Sequence, residues 1–255
     1  MKKHICIFLA ALCLLLPACA SSVTIPEEQP VVVRETLPPE TTQPPTQPEH
    51  SSLYCSEISV EDLIRYFEEV CLDAEFIDSG NPRVLQKWRI PICYTLYGNY
   101  TQEDLAVLAG FSDWLNTLEG FPGIRPARDG DIETLRIYFC DAAELVNRMG
   151  GQFLDRDGAV RFWYECDEIY DAVICCRSDI DQTIRNSVLL EELYNGLGPV
   201  QDTSLRPDSI IYSEYSVPQQ LTREDELILR LLYHPDMRCG MDAAQCASVI
   251  RQLYY

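Results

Sequence analysis

Two adjacent acids, Glu191 and Glu192, are the residues of this chain whose setting could support chemistry. Asn195 follows Glu191 by four positions, so these two side chains fall on one face of a helix, a single turn apart. Gln201 follows a Gly-Pro pair that ends the helix and can return the chain toward that face. Burial beside a second carboxylate would raise the pKa of Glu192 and make it a candidate general base.

A structural role for Glu192 is the competing interpretation. Its carboxylate would then bond the backbone of residues 209–212 and fix the helix against that segment. The sequence favours this role, because a general base without a bound, activated water lacks its usual partner. The adjacent acids also diverge by about 100° around a helix, so they do not flank a shared glycosidic bond.

This segment offers mainly oxygen ligands to a metal. The carboxylates and amides of Glu191, Asn195, Gln201 and Asp202 suit calcium, magnesium or manganese better than zinc. Two neutral amides make such a site weak, so the sequence predicts no cofactor, and a divalent cation is the alternative. The chain has three histidines, at positions 4, 50 and 234, which disfavours a histidine-rich zinc site.

The same segment resembles the active-site helix of a metzincin zinc peptidase whose zinc ligands are gone. With Gly198 on the glycine of the HExxHxxGxxH pattern, Glu192 falls on the general-base position, and three side chains fall on the histidine positions: Glu191, Asn195 and Gln201. Four later residues resemble the Met-turn below the zinc: Ser209, Ile210, Ile211 and Tyr212. The resemblance implies a zincin-like twisted mixed sheet, a long helix carrying the degenerate motif, and C-terminal helices.

A block near the carboxyl terminus resembles a bacterial family of secreted proteins and lipoproteins, the domain of unknown function 2927. The matching residues are Leu221, Thr222, Asp225, Leu229, Leu232, Tyr233, His234, Pro235, Arg238, Gly240 and Met241. A preceding strand also matches, so the similarity runs over about residues 170–244. The chain departs from the family pattern at Asn195, Gln201 and Cys239. This resemblance implies a fold rather than an activity.

The first residues have the form of an export signal. Two lysines precede an apolar run, and a Pro-Ala-Cys sequence ending at Cys19 resembles the bacterial lipobox. We therefore expect a lipoprotein signal peptide over 1–18 and lipidation at Cys19; an ordinary cleaved leader is the alternative. Residues 19–51 are rich in Pro, Thr and Gln and are expected to form a disordered tether. Residues 52–255 are expected to form a single zincin-like domain.

Charge and motifs limit the partners. The formal net charge is −20 at pH 7, which argues against binding to nucleic acid or to anionic lipid. No GxSxG elbow and no P-loop occurs, so no alternative nucleophile or phosphate site stands out. The expected partners are the membrane, reached through the lipid anchor, and an unidentified protein or peptide ligand. The protein is therefore expected outside the cytoplasm, anchored to the bacterial membrane.

Nine cysteines follow Cys19. Because export permits disulfides, Cys239 with Cys246 and Cys55 with Cys71 are candidate pairs. An odd number leaves at least one thiol free. Reduced, buried cysteine is the alternative for those that lie in apolar strands.

Periodicity and capping signals predict an α+β fold. The predicted helices begin near Ser59, Thr101, Asp141, Ile180, Thr222 and Asp242, and the predicted strands cover 88–97, 135–140, 160–164 and 172–176. This order suits a zincin-like domain, and it suits other α+β sandwiches equally.

Two functions remain open. The first is a non-catalytic binding or interaction module on a degenerate metallopeptidase scaffold. The second is an unusual hydrolase in which Glu192 works with an oxygen-ligated divalent metal. Retention of the glutamate favours the second, and the absence of all three histidines favours the first.

Overall fold

A mostly parallel sheet with helices on both faces forms the centre of the molecule. The computed structural model describes residues 51, 53–72 and 83–255. The strands are β1 Lys87–Trp88, β2 Ile92–Gly98, β3 Ile124–Pro126, β4 Leu135–Cys140, β5 Gly158–Glu165 and β6 Glu168–Arg177. The helices are α1 Val60–Leu72, α2 Gln102–Leu115, α3 Ala142–Met149, α4 Gln182–Asn195, α5 Arg223–Tyr233 and α6 Ala243–Tyr254, with a 3-10 turn at Gly151–Phe153.

The strand order makes β5 an edge of the sheet. Strands β6, β4, β2 and β3 are parallel neighbours in that order, and β1 pairs in parallel with the first two residues of β6. Strand β5 pairs with β6 alone and runs antiparallel to it, with an irregularity between Trp163 and Tyr164. The predicted mixed sheet, the helix that follows it and the C-terminal helices are therefore present.

Alternation along the strands divides the interior into two clusters. On β4, Leu135, Ile137 and Phe139 face the main core, which also receives buried residues from α1, α2, α4, α5 and α6. Tyr138 and Cys140 of β4 pack on a smaller cluster beneath α3, built on Leu145, Met149, Ala159 and Cys175. A period of two along a strand places successive side chains on opposite faces, so both sides of the sheet are covered.

Side-chain caps set the helix starts where the sequence predicted them. Thr101 and Asp104 form a reciprocal capping box at α2, and Thr222 and Asp225 form another at α5. Asp242 forms a third with the Gln at position 245. Such caps satisfy amide groups that the first turn of a helix leaves free.

The strand boundaries differ from the prediction in three places. The predicted strand 88–97 is interrupted and becomes β1 and β2, because Pro91 cannot continue the ladder. Strand β3 was missed; it is three residues long and follows a loop whose Gly123 has a φ of 96°. Strand β6 begins at Glu168, four residues before the predicted start, where it meets β1.

The predicted disulfides are wrong in this structure. All nine described cysteines are free thiols, including the candidate pairs Cys239 with Cys246 and Cys55 with Cys71. Cys71 in α1 instead lies near Cys246 in α6, and burial followed by that neighbour raises the pKa of Cys71 well above its usual value. Buried cysteines of this kind act as small apolar residues in the core.

The predicted signal peptide (1–18), the lipidation site Cys19 and most of the tether (19–51) lie outside the described residues. Within the described part of the chain, no helix combines the length and the apolar character that crossing a membrane requires.

Candidate functional site

Helix α4 lies directly against the beginning of β5. A Cβ atom placed on Gly158 would come within 2.4 Å of Val188 Cγ1 and 2.7 Å of Glu192 Oε1. These distances are shorter than any contact a real Cβ makes, so Gly158 is what permits the approach. Val188 and Glu192, four positions apart on α4, meet Gly158 in this contact. Glu191 and Asn195 are likewise four positions apart, and we call Glu191, Glu192 and Asn195 together the α4 polar face.

Glu192 is a buried acid that forms no ion pair with any of the described residues. Its exposed fraction is 7%. Burial raises the pKa of Glu192 well above its usual value, and the nearby carboxylates of Glu191 and Asp202 raise it further, against a smaller opposing effect of Arg156. No hydrogen bond from the described residues contributes to this shift. Burial and the neighbouring carboxylates therefore both favour the protonated form of Glu192.

Glu191 is partly buried, and its pKa is also raised. Burial raises the pKa of Glu191 to about 8, and the carboxylates of Asp202 and Asp157 act in the same direction while Arg156 opposes them. Most of the Glu191 side chains are protonated at pH 7 as a result. The structure thus brings the two predicted acids and Asp202 into one electrostatic cluster.

Asn195 completes the α4 polar face with a group that has no partner. Its Oδ1 atom is buried and accepts no hydrogen bond from the described part of the chain. A buried polar atom left unpaired costs about 1–3 kcal/mol, so such groups are uncommon in folded proteins. The α4 polar face therefore presents an acceptor that the protein itself does not satisfy.

Gln201 is held by its backbone rather than by the α4 polar face. The amide groups of Val200 and Gln201 donate to the carbonyl of Val70 at the end of α1, at 2.8 and 3.3 Å. No hydrogen bond joins the Gln201 side chain to Glu191 or Asn195, all three being described residues. Gln201 is thus positioned by α1, while Glu191 and Asn195 share α4.

The segment 209–212 is fixed by Asp225. The Asp225 carboxylate accepts hydrogen bonds from the Tyr66 hydroxyl at 2.7 Å, from Ser209 Oγ at 2.7 Å, and from the backbone amides of Ile210 at 3.1 Å and Thr222 at 3.0 Å. Ser209 Oγ in turn accepts from the amide of Ile211. The structural role that the sequence assigned to Glu192 in this segment is therefore carried out by Asp225.

A family match covers nearly all of the described fold. The family model described as protein of unknown function (DUF2927) matches residues 60–252, from the start of α1 into the last turn of α6. The chain belongs to this family. No curated protein matches the chain at a significant level. The α4 polar face and the Asp225 network both lie within the DUF2927 domain.

Sequence reasoning missed a second buried anchor of the DUF2927 domain. Arg185 near the start of α4 pairs with Asp104 of α2 at 3.1 Å, with exposed side-chain fractions of 6% and 0%. Gln182 donates to the same carboxylate at 2.8 Å. The capping box that marks the start of α2 contains Asp104. The sequence carries no signal that this acid also forms an ion pair with Arg185 of α4.

Metal ligation gains no support from the geometry of the DUF2927 domain. Across residues 53–72 and 83–255, no three His, Cys, Asp or Glu side chains converge as a metal site. Two acids with raised pKa values and one amide oxygen are weak ligands, because a metal binds the deprotonated carboxylate. What the α4 polar face offers instead is hydrogen bonding and, once deprotonated, negative charge.

Proposed function

We propose that this DUF2927 protein is a non-catalytic binding module that holds an extended segment of a partner protein along β5. The observation that carries the proposal is the open outer edge of β5 beside the unsatisfied α4 polar face. Strand β5 forms its ladder with β6 only, and its outer backbone groups make no further ladder with the described residues. An exposed strand edge is a template for one more strand.

The side chains around this edge favour a protein ligand. Trp163 and Tyr164 of β5 and Tyr170 of β6 are exposed by 39%, 44% and 46%. Large aromatic residues supply contact area with few rotatable bonds and are enriched at protein interfaces. Three of them on one hairpin supply contacts that a bare strand edge lacks.

The scaffold supports a binding role over catalysis. A mixed sheet with an antiparallel edge strand, followed by a helix that carries the degenerate motif, agrees with descent from a metzincin-type peptidase. Glu191 and Asn195 occupy two of the histidine positions, and neither supplies a zinc-binding nitrogen. We infer that the peptide-binding side of such a scaffold was kept while its metal chemistry was lost.

The amino terminus gives the module a location in this proposal. Lipidation of Cys19 would attach the chain to the outer surface of the bacterial membrane. The Pro-rich residues 19–51 would then hold the domain away from the lipid and extend its reach toward partners.

The test uses the full-length protein, purified in detergent, and a displayed library of random ten-residue peptides. We expect enriched peptides with dissociation constants in the micromolar range and slower hydrogen exchange of the β5 amides when such a peptide is bound. The double variant Trp163→Lys and Tyr164→Lys should weaken binding at least tenfold. The matched control Tyr215→Lys, at an aromatic residue exposed by 78%, should leave binding unchanged. The proposal would be overturned if no peptide is enriched. It would also be overturned if the double variant binds the peptides as tightly as the Tyr215→Lys control does.

One observation favours the hydrolase as a second candidate. Glu192 is buried and its pKa is raised, as is common for general acids and bases in active sites. If it works with a divalent ion, calcium, magnesium or manganese should bind stoichiometrically and raise the melting temperature. Glu191→Ala should abolish that effect. The hydrolase should be abandoned if none of the three ions binds or stabilises the protein.

A further inference from the structure

We infer that a cavity between the start of α1 and the residues Leu205 and Arg206 binds a free α-amino acid in its zwitterionic form. The cavity has a volume of about 290 Å³, close to that of the smallest typical small-molecule sites. None of its lining residues belongs to β5, β6 or α4. The inference therefore goes beyond the proposed function and does not depend on a peptide along β5.

The charged side chains of this cavity are of both signs. Glu57 and Asp62 bring two carboxylates, and Arg65 and Arg206 bring two guanidinium groups. A ligand with a single charge would meet one sign and displace water from the other, which costs free energy. A zwitterion supplies partners for both. In an α-amino acid the carboxylate and the ammonium are attached to the same carbon, so both ends fit within one small cavity.

Arg206 is the expected partner of the ligand carboxylate. Its Nη1 atom lies 3.5 Å from Glu224 Oε1, and its guanidinium carbon lies 6.0 Å from the centroid of the Tyr66 ring. A guanidinium has five donors and a single carboxylate takes up two of them in a fork, so Arg206 keeps donors for a ligand. Arg65, whose Nη2 donates to Asp62 Oδ1 at 3.0 Å, adds a second positive charge to the same cavity.

Glu57 is the expected partner of the ligand ammonium. Both oxygens of Asp62 are already engaged, since Oδ1 accepts from Arg65 and Oδ2 accepts from the Ser59 hydroxyl at 2.8 Å. Glu57 forms no ion pair or hydrogen bond with the described residues, so its carboxylate can accept from an ammonium. The ammonium would therefore meet the segment before α1, and the carboxylate would meet the segment between α4 and α5.

Buried contacts hold the walls of the cavity in place before a ligand arrives. Tyr66 is fully buried, and its hydroxyl donates to Asp225 Oδ1 at 2.7 Å. The Glu69 carboxylate of α1 accepts from Thr203 Oγ1 at 2.6 Å, which ties the segment that carries Arg206 to the helix. A site that is formed in advance loses less conformational entropy on binding.

The first test measures the melting temperature of the full-length protein with each protein-forming L-amino acid in turn, at constant pH and ionic strength. A ligand that binds the folded state stabilises it, so at least one amino acid at about 10 mM should raise the melting temperature by about 2 °C or more. The inference is overturned if none of them does.

Derivatives of the amino acid that stabilises most define the chemical class. Its primary amide lacks the carboxylate, and its N-acetyl form lacks the ammonium. Isothermal titration calorimetry should show at least tenfold weaker binding for each of them. A free amino acid is the wrong class if the amide binds equally well, as the amino terminus of a peptide would. It is also the wrong class if the N-acetyl form binds equally well, as a carboxyl terminus would.

Matched variants locate the site. Arg206→Gln should weaken binding of the same amino acid at least tenfold, and Glu57→Gln, at an exposed side chain, at least threefold. Arg148→Gln is the control, because Arg148 also pairs with an acid, Glu144 at 2.7 Å, and lies over a tyrosine ring, but it belongs to α3. Circular dichroism shows that each variant is folded before its binding is measured. Unchanged binding in the folded Glu57→Gln and Arg206→Gln variants, or an equal loss in Arg148→Gln, would overturn the inference.

Discussion

Asp225 and Glu192 are both buried acids, and their surroundings are opposite. The Asp225 carboxylate accepts four hydrogen bonds, two from hydroxyl groups and two from backbone amides. Glu192 receives none from the described residues, and burial raises its pKa. The two helices are joined by the Tyr194 hydroxyl, which donates to the carbonyl of Asp225 at 2.9 Å. The first acid is satisfied by the fold, whereas the second receives no hydrogen bond from the described residues.

This contrast distinguishes a buried acid that stabilises the fold from a buried acid that does not. A buried carboxylate with a full set of donors ties several segments together and stabilises the ionised form. A buried carboxylate without donors makes the folded state less stable and is retained when another role requires it. Removing a group from the Asp225 network should therefore lower the free energy of unfolding. Removing one from the α4 polar face should raise it.

The largest effect is expected from Asp225→Ala. This change would leave the donors of Tyr66, Ser209, Ile210 and Thr222 without their acceptor, and we expect the free energy of unfolding to fall by about 3–5 kcal/mol. Urea denaturation measures it. Asp242→Ala is the control, since its carboxylate only caps the exposed start of α6 and should cost about 1 kcal/mol. Equal losses in the two variants would contradict the central role of Asp225.

The next effect concerns the contact between α4 and β5. Gly158→Ala would force a methyl group against Val188 and Glu192, and overpacking of this kind costs about 1–3 kcal/mol. Combining it with Val188→Ala removes the nearest obstacle, so the double variant should lose less than the sum of the two single changes. Thermal unfolding of the four proteins in this cycle measures the coupling. Strict additivity would show that the two residues do not meet.

These contacts show which features of the fold could be predicted from the sequence. Helix starts were predictable, because a cap such as Thr222 with Asp225 is a local pattern of side chain and backbone. The same pattern could not reveal that Asp225 also accepts a hydrogen bond from the hydroxyl of Tyr66, which lies 159 positions earlier in the chain. Strand β3 was missed for a related reason: three residues carry too little periodicity, and only pairing with β2 defines the strand.

The candidate site was predictable in part for the same physical reason. Glu191 and Asn195 are four positions apart on one helix, so their common face follows from spacing alone, with Glu192 adjacent in the sequence. Contact of that face with Gly158 joins α4 to a different strand, and no local pattern encodes it. The unpaired state of Asn195 Oδ1 depends on every neighbouring element, so it can be seen only in the folded chain.

A pH series tests the electrostatic side of the comparison. The pKa of Glu191 is about 8 in the folded protein against 4.5 ordinarily, so the folded state binds more protons between these values. Stability should therefore fall as the pH rises from about 4.5 to 8 and then stay level with respect to this group. After allowance for its partial exposure, we expect Glu191 to contribute on the order of 2 kcal/mol to this fall.

Glu191→Gln isolates that contribution. Glutamine does not titrate, so urea denaturation at intervals from pH 5 to pH 9 should give a shallower decline for the variant than for the unchanged protein. A profile for Glu191→Gln that parallels the unchanged protein would show that Glu191 is not the acid with the raised pKa.

The smallest effect is expected at Asn195, and its sign is the informative part. Asn195→Leu replaces an unpaired buried acceptor with an apolar group of similar size, which we expect to raise the free energy of unfolding by up to about 1 kcal/mol. Thermal and urea unfolding at pH 7 measure it. A gain in stability is expected where the fold does not require the polar group. A loss in stability would instead place Asn195 with Asp225, among the residues that hold the DUF2927 domain together.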